Sequence, residues 1–389
     1  MSKSGFLFLL QAISLFDNFV IKEKGNLAMK KHALFFVVFT VLLSCCNKTN
    51  SGSEENKETD PDEGRVILHS EVQRVYLSGP LDKVNLYARG AEELSRPLTP
   101  TFAWEEAEGP YTVYLADNPN YIDMNTYTTD EARISFSNLK INTKYYYDVR
   151  SNGKSIKEDS FVTSAQLVRN LYISGVTNAR DIGGYTTKDG VSKQGVLFRT
   201  GRLNKNDVEE VDVRITSKGI EAMHKELKVK TEIDLRMVEN NEVGGLTEGL
   251  SVLGNNVKYY QCPMDYNKGV DASENDPSLR KVFSILGNKE NYPAFFHCSI
   301  GTDRTGYVAW LINSVVGVGE EDLWRDYLFS NFGNIGGSRD KAYIADGYPK
   351  KIKETEGDTL QEKAVNFLLK KGIKQQEIDT IREMMLGQA

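Results

Sequence analysis

Ala294-Phe-Phe-His297 runs without a break into Cys298-Ser-Ile-Gly301-Thr-Asp-Arg304-Thr305-Gly306, and then into Tyr307-Val-Ala-Trp-Leu-Ile-Asn313. A short apolar run, a turn built around one glycine and a longer run apolar on most sides leave few folds open. The first has the length of a buried strand and the last that of a buried helix. A turn joining a strand's end directly to a helix's start belongs to layered α/β architecture. The rest of 166–389 agrees. Helix-like stretches at 207–227, 276–287, 304–317, 320–330, 359–371 and 375–386 alternate with strand-like runs at 196–199, 231–235, 257–261 and 294–297. This pattern predicts an α/β domain whose central, mostly parallel sheet is flanked by helices.

The turn itself carries chemistry. A loop that opens a helix aims several backbone N–H groups inward and adds the positive end of the helix dipole, which makes a seat for a dianionic phosphate. Gly301 supplies a backbone conformation closed to most residues. The same field favours the thiolate of a cysteine at the loop's entrance, which makes Cys298 a nucleophile. Arg304 can hold two phosphoryl oxygens with its planar fork, and the Thr305 hydroxyl is placed to stabilise the sulfur as it leaves. Nucleophile, anion cradle and clamp are what phosphoryl transfer to sulfur needs. The predicted phosphate-binding residues are Ser299, Ile300, Gly301, Thr302, Asp303 and Arg304. No cofactor and no metal is expected, because covalent capture on sulfur needs no cation.

Cysteine and arginine at that spacing alone would say little. The longer string His297-Cys298-x-x-Gly301-x-Asp303-Arg304-Thr305-Gly306 resembles the loop of the protein tyrosine phosphatase superfamily and, within it, the bacterial tyrosine/serine phosphatase family. Asn178-Ala-Arg180-Asp181-Ile-Gly183-Gly184-Tyr185 and Val196-Leu-Phe-Arg199-Thr-Gly201 are similar to that family's N-terminal segment, and Thr231-Glu-Ile-Asp234-Leu-Arg236 to its internal strand motif. The resemblance implies removal of phosphate from phosphotyrosine, with phosphoserine or phosphothreonine as further substrates, through a phosphocysteine intermediate. The partners implied are a phosphorylated protein or a small phosphomonoester. It also implies an acid that protonates the leaving oxygen. Asp265, in Cys262-Pro-Met-Asp265, is the preferred candidate; Asp303, inside the loop, is its rival. His297 reads as an orienting partner, Arg180 and Asp181 as a buried pair bracing the loop, and Cys262 as a packed thiol. Relatives acting on phosphoinositides often carry lysine where this chain has Thr302, which weighs against the alternative of a phosphoinositide or inositol phosphate phosphatase. A catalytically silent phosphoprotein-binding module is the alternative of another class; such modules commonly lose the cysteine or the arginine, and both are present.

The N-terminal part differs in texture. Residues 65–165 hold short runs rich in Val, Ile, Tyr, Phe and Thr (VYLSG, VNLYARG, TFAW, YTVYLAD, ARISFSNL, KYYYDVRS, DSFVTS), broken by Gly, Pro, Asn and Asp. Such spacing predicts an all-β sandwich preceding the α/β domain. The stretch from Leu139 to Val149, with Tyr145 and Tyr147, resembles the fibronectin type III signature around its tyrosine corner, and Trp104 sits where such domains place a core tryptophan. Ahead of it, Met29-Lys-Lys-His and an apolar run at 33–43 read as a secretory signal. Leu42-Leu-Ser-Cys45 resembles the lipobox of bacterial lipoproteins, which implies lipidation at Cys45. Residues 1–45 are then an upstream extension and signal peptide, 46–64 an acidic, disordered tether, and 166–389 the catalytic domain. The chain is expected to be an exported lipoprotein, anchored to membrane through its lipid, in the periplasm or at the cell surface. Its net charge is −6 over 389 residues. With no strongly basic block, nucleic acid is excluded as a partner.

Overall fold

Phe295 and Phe296, adjacent in the chain, end in two different hydrophobic clusters. Successive residues of a strand face opposite sides of its sheet, so a strand apolar at every position must be covered on both faces. The computed structural model describes residues 62–204, 214–237 and 250–387, and residues 60–389 gather into one compact unit.

The first described helix is α1 (Glu71–Leu77). Six strands follow: β1 (Thr101–Ala103), β2 (Tyr111–Ala116), β3 (Asn125–Thr129), β4 (Arg133–Ser135), β5 (Lys144–Ser151) and β6 (Lys154–Val162). They form an antiparallel four-stranded sheet in the order β3-β2-β5-β6 and a two-stranded β1-β4 sheet. Both sheets feed one cluster, with Val113, Leu115, Tyr147 and Val149 from the larger, Phe102 and Ile134 from the smaller, and Phe136 among them. β3 escapes a sequence reading because Asn125-Thr-Tyr-Thr-Thr129 is an edge strand with one large apolar side chain.

Two of the runs read as strands are helical instead. Val75 to Leu77 lie in α1, and Val84 lies in a 3-10 turn, Leu81–Leu86. Ser70 starts α1 with a reciprocal capping box to Gln73, a local signal stronger than the β-branched content of the run. Tyr76, Leu77, Leu81, Val84 and Ala88 then bury into the main cluster of the α/β part. The segment is tied there by the Gly90 N–H donating to the Asn331 carbonyl at 2.8 Å and by Arg325 donating to the Leu77 carbonyl at 2.5 Å.

The α/β part runs β7 (Arg180–Asp181), β8 (Thr186–Thr187), β9 (Gly190–Val191), β10 (Leu197–Thr200), α2 (Ser217–Lys225), β11 (Thr231–Asp234), β12 (Lys258–Gln261), α3 (Asp276–Leu286), β13 (Ala294–His297), α4 (Asp303–Val316), α5 (Glu320–Phe329), α6 (Tyr348–Lys353), α7 (Leu360–Lys370) and α8 (Gln375–Leu386). The main sheet has the order β12-β11-β13-β10-β7. All pairs are parallel except β10 with β7, so the expected mostly parallel sheet is what the chain forms. On one face Phe296, Ala294, Leu197 and Ile233 pack with α3, α4, α5, α7 and α8; on the other, Phe295 and Phe198 pack with Met223 of α2 and with Leu227 and Leu253. α4 is buried at every position, as its nearly continuous apolar run requires.

The expected signal peptide with Cys45, residues 46–61 of the expected tether, and residues 207–213 of the helix expected at 207–227 lie outside the described residues. No described helix is long and apolar enough to cross a membrane.

Candidate active site

β13 lies between two parallel neighbours, with His297 level with Thr200 of β10 and Asp234 of β11. The chain leaves the sheet there, at the carboxyl end of its central strand, and turns through Cys298 to Thr302 into the 14-residue helix α4. Cys298 is buried, 2% exposed. Thr302, the residue capping α4, makes no side-chain bond to the helix, so the first N–H groups stay open toward the loop. Gly301 has φ +71°, and a Cβ on it would sit 2.5 Å from the Thr200 carbonyl oxygen and 2.6 Å from the Gly201 nitrogen. Neither backbone can yield; the position demands glycine.

What shapes the loop is where its carbonyls go. The Ser299 carbonyl accepts from the Arg202 N–H at 3.1 Å and from Arg202 Nη1 at 3.3 Å. The Ile300 carbonyl accepts from Asn178 Nδ2 at 3.0 Å. The Gly301 and Thr302 carbonyls both accept from Arg199 Nη2, at 2.8 Å and 3.4 Å. Four successive carbonyls are thus pulled toward buried donors on one side. A trans peptide places its N–H opposite its C=O, so the amides point the other way, into the loop's concavity. Among the described residues no backbone carbonyl accepts from the N–H groups of Ile300, Gly301 or Thr302. The result is a nest of amides.

The donors are themselves braced. Asp326 of α5 takes Arg180 Nε at 2.7 Å on one oxygen and Arg199 Nη1 on the other. Arg180 Nη1 also donates to Asn178 Oδ1 at 2.5 Å, and Asn178 Nδ2 reaches Thr302 Oγ1 at 3.2 Å as well as Ile300. Burial raises the Asp326 carboxyl's pKa, but the two arginines outweigh it and hold the group below its ordinary range. Burial, with the neighbouring Arg199, lowers the Arg180 guanidinium to about 10. The expected Arg180–Asp181 pair does not form. The two are neighbours on a strand and face opposite sides; Asp181 instead takes Arg169 at 2.5 Å and the Gly195 and Gly183 N–H groups at 2.6 and 2.8 Å. Sequence reasoning missed Asp326. Its one signal is a carboxylate on the apolar stripe of a helix, beside Leu323 and Tyr327.

Arg304, in the first turn of α4, is also buried, at 5% exposed. It lies 3.2 Å from Ser299 Oγ, and its Nη1 points to the carbonyls of Met264 at 3.4 Å and Leu235 at 3.5 Å. The Met264 contact brings the chain segment carrying Asp265 to the arginine. Asp265 is half-buried; its Oδ1 accepts from the Asn267 N–H at 2.9 Å, and its own N–H donates to Asn275 at 2.7 Å. Asp303, 6% exposed, has both oxygens taken by Arg339, at 3.2 and 3.1 Å. Thr305 Oγ1 is buried with no hydrogen-bond partner among the described residues.

Below the loop, His297 Nε2 lies 3.0 Å from Glu232 Oε1 and Nδ1 3.4 Å from the Cys298 carbonyl. Glu232, Asp234 and His297 offer three ligating atoms within 4.8 Å of one another. Those donors are engaged by side chains: Asp234 takes Arg236 at 2.6 Å and Tyr259 at 2.9 Å, and Ser251 donates to Glu232. Burial raises Asp234's pKa, while His297 and Arg236 lower it further and hold it at about 2. The set is a satisfied ion cluster supporting β13, not an open ligand sphere. Cys262, the residue directly after β12, is buried, and that burial pushes its thiol up to about 12.

Residues 171–387 match the model of a family described as the tyrosine phosphatase family. Among solved structures the chain is similar to the core catalytic domain of the PP-IP phosphatase SIW14 from S. cerevisiae in complex with citrate, at 20% identity over 44% of this chain and 88% of that one, with a TM-score of 0.27. It is similar also to P. aeruginosa TpbA in complex with pTyr, at 16% identity over 44% of this chain and 87% of that one, with a TM-score of 0.28. The family match, spanning more than half of the chain, carries the assignment.

Proposed function

Since the chain belongs to the tyrosine phosphatase family and is a hydrolase of that type, we propose that it cleaves phosphotyrosine, with phosphoserine or phosphothreonine as further substrates, through a phosphocysteine at Cys298. The observation that carries this reading is the outward pull on the carbonyls of residues 299–302, which supports a phosphate seat made of the loop's amides. In the first step the Cys298 sulfur bonds phosphorus as the bond from phosphorus to the leaving oxygen breaks. The electron pair stays on that oxygen, which takes a proton from Asp265. In the second step water attacks the phosphocysteine and gives a proton to the Asp265 carboxylate. The sulfur–phosphorus bond breaks, and inorganic phosphate leaves.

Arg304 clamps phosphoryl oxygens, and the Thr305 hydroxyl, buried without a partner among the described residues, donates to the sulfur when it departs. Asp303 is set aside as the acid because the Arg339 guanidinium occupies both of its oxygens. Thr302 is fully buried and turned to Asn178, so nothing at that position meets the extra phosphates of an inositol polyphosphate.

The β part is read as a fibronectin type III-like sandwich, supported by its 3-2-5-6 strand order and by Tyr145, whose hydroxyl accepts the Lys140 N–H at 2.8 Å as a tyrosine corner does. The Leu42–Cys45 string supports export and lipidation, which incorporation of a labelled fatty acid, lost in Cys45→Ala, would test. For the enzyme, the test is phosphate release from a phosphotyrosine peptide by wild type and Cys298→Ser. Retained activity in the serine variant, or loss of wild-type activity in a chelator, would refute it.

A further inference from the structure

Arg339 is held more firmly than a residue outside the helices needs to be. Its N–H donates to Asn331 Oδ1 at 2.7 Å, and its carbonyl accepts from Asn331 Nδ2 at 2.8 Å. Asn331 is itself fully buried. So anchored, the Arg339 guanidinium does two things. It takes both oxygens of Asp303, and it lies over the Tyr343 ring, 4.4 Å from the centroid. The Tyr343 hydroxyl in turn is hydrogen-bonded to the hydroxyl of Tyr266. Tyr266 directly follows Asp265, whose side chain caps the short turn Tyr266–Lys268. A continuous chain of contacts therefore joins the cysteine loop at Asp303 to the turn that carries Asp265.

We infer that Arg339, Tyr343 and Tyr266 are positioning residues that hold the Asp265 turn against the cysteine loop so that its carboxyl meets the leaving oxygen. The inference rests on the phosphatase reading above and on Asp265 as its acid. The parts fit the task. Burial works against the charged guanidinium, but the hydrogen bonds and charge of Asp303 outweigh it, so Arg339 remains a cation. A charged arginine both fixes Asp303 and attracts the face of an aromatic ring. Tyr343 and Tyr266 are 49% and 40% exposed, so their hydroxyl bridge sits at the rim, where breaking it leaves the core untouched. On the other side of the turn, Asn275 Nδ2 donates to the Asp265 carbonyl at 3.1 Å. The turn is pinned from the protein interior and from the rim.

A proton is needed only when the leaving oxygen is basic. The phenol of tyrosine has an ordinary pKa of about 10, whereas a dinitrophenol departs as a stable anion. Comparing kcat/KM for a phosphotyrosine peptide and for dinitrophenyl phosphate isolates proton delivery from every other part of the site. Tyr343→Phe, which keeps the ring over Arg339 and removes only the bridge, is expected to lower kcat/KM on phosphotyrosine about tenfold, a share of the general-acid contribution of about 10²–10⁴, with little change on the dinitrophenyl ester. Arg339→Ala should widen the gap between the two substrates, and Arg339→Lys should not close it, because a point charge cannot replace the fork. Equal losses on both substrates, or no loss on either in Tyr343→Phe, would overturn the inference. Failure of the underlying reading looks different: Cys298→Ser would then still hydrolyse both esters.

Discussion

Arg199 of β10 donates to the carbonyl oxygen of Gly301 at 2.8 Å while its other nitrogen is engaged by Asp326. One guanidinium thus ties a strand, a helix and the cysteine loop at a point with no access to solvent. Arg199→Lys keeps the charge but cannot span these partners, leaving Asp326 half-paired in the interior. It should destabilise the protein by about 3 kcal/mol, the scale for breaking a buried pair, read by urea unfolding, and lower kcat by more than tenfold at temperatures where the variant is folded.

At Gly301 the demand is purely conformational. A methyl group there meets the Thr200 and Gly201 backbones at about 2.5 Å, and the loop can relieve that only by moving its amides. Gly301→Ala should cost on the order of a hundredfold in kcat, comparable to losing one amide of an oxyanion site, and should weaken inhibition by inorganic phosphate in parallel. A variant with normal phosphate inhibition would show that the loop's amides do not hold the anion.

The two aspartates separate by substrate and pH. Asp265→Asn is expected to reduce kcat on phosphotyrosine by about a hundredfold, to remove the alkaline limb that reports loss of the acid's proton, and to leave dinitrophenyl phosphate cleavage nearly intact. Asp303→Asn, which loosens Arg339, should instead leave the alkaline limb in place and lower phosphotyrosine cleavage more than dinitrophenyl phosphate cleavage. If Asp303→Asn alone flattens the profile, proton delivery moves to the loop.

Asp234, held at about 2 against an ordinary 3.8, supports the fold when ionised. A depressed carboxyl contributes its full stability above the ordinary value and loses it as pH falls through the folded one. The difference in unfolding free energy between wild type and Asp234→Asn should therefore shrink by about 2 kcal/mol as pH drops from about 4 to about 2. A pH-independent difference would mean that the cluster with His297 and Arg236 does not depend on this charge.

Cys262 offers a control within the same molecule. With its thiol pushed up to about 12 and fully buried, it should stay unalkylated by iodoacetamide at neutral pH in folded protein. Peptide mass mapping should find adduct at Cys298 and none at Cys262; prompt labelling of Cys262 would contradict its burial.

Local pattern was enough for much of this molecule. The strand at 294–297 and the helix at 375–386 fall where periodicity puts them, because each is apolar on the faces its neighbours must cover. Cys298, Gly301 and Arg304 are legible for the same reason, being contiguous on one strand–turn–helix unit. Residues far apart in the chain are not. Nothing near Asp326 announces Arg180 and Arg199 as its partners, 146 and 127 positions away, and Arg339 meets Asp303 across 36 residues. The pairing of Asp181 with Arg169 in place of its neighbour Arg180 is likewise decided by which side of the sheet each side chain faces. The order of the amino acids determines the proposed nucleophile, the glycine and the proposed clamp, because backbone sterics and a helix end act over a few residues. Which buried charges balance which, and which aspartate the Arg339 guanidinium occupies, is decided by the folded tertiary structure, because burial makes an unpaired charge so costly that the partner must come from wherever the chain brings one.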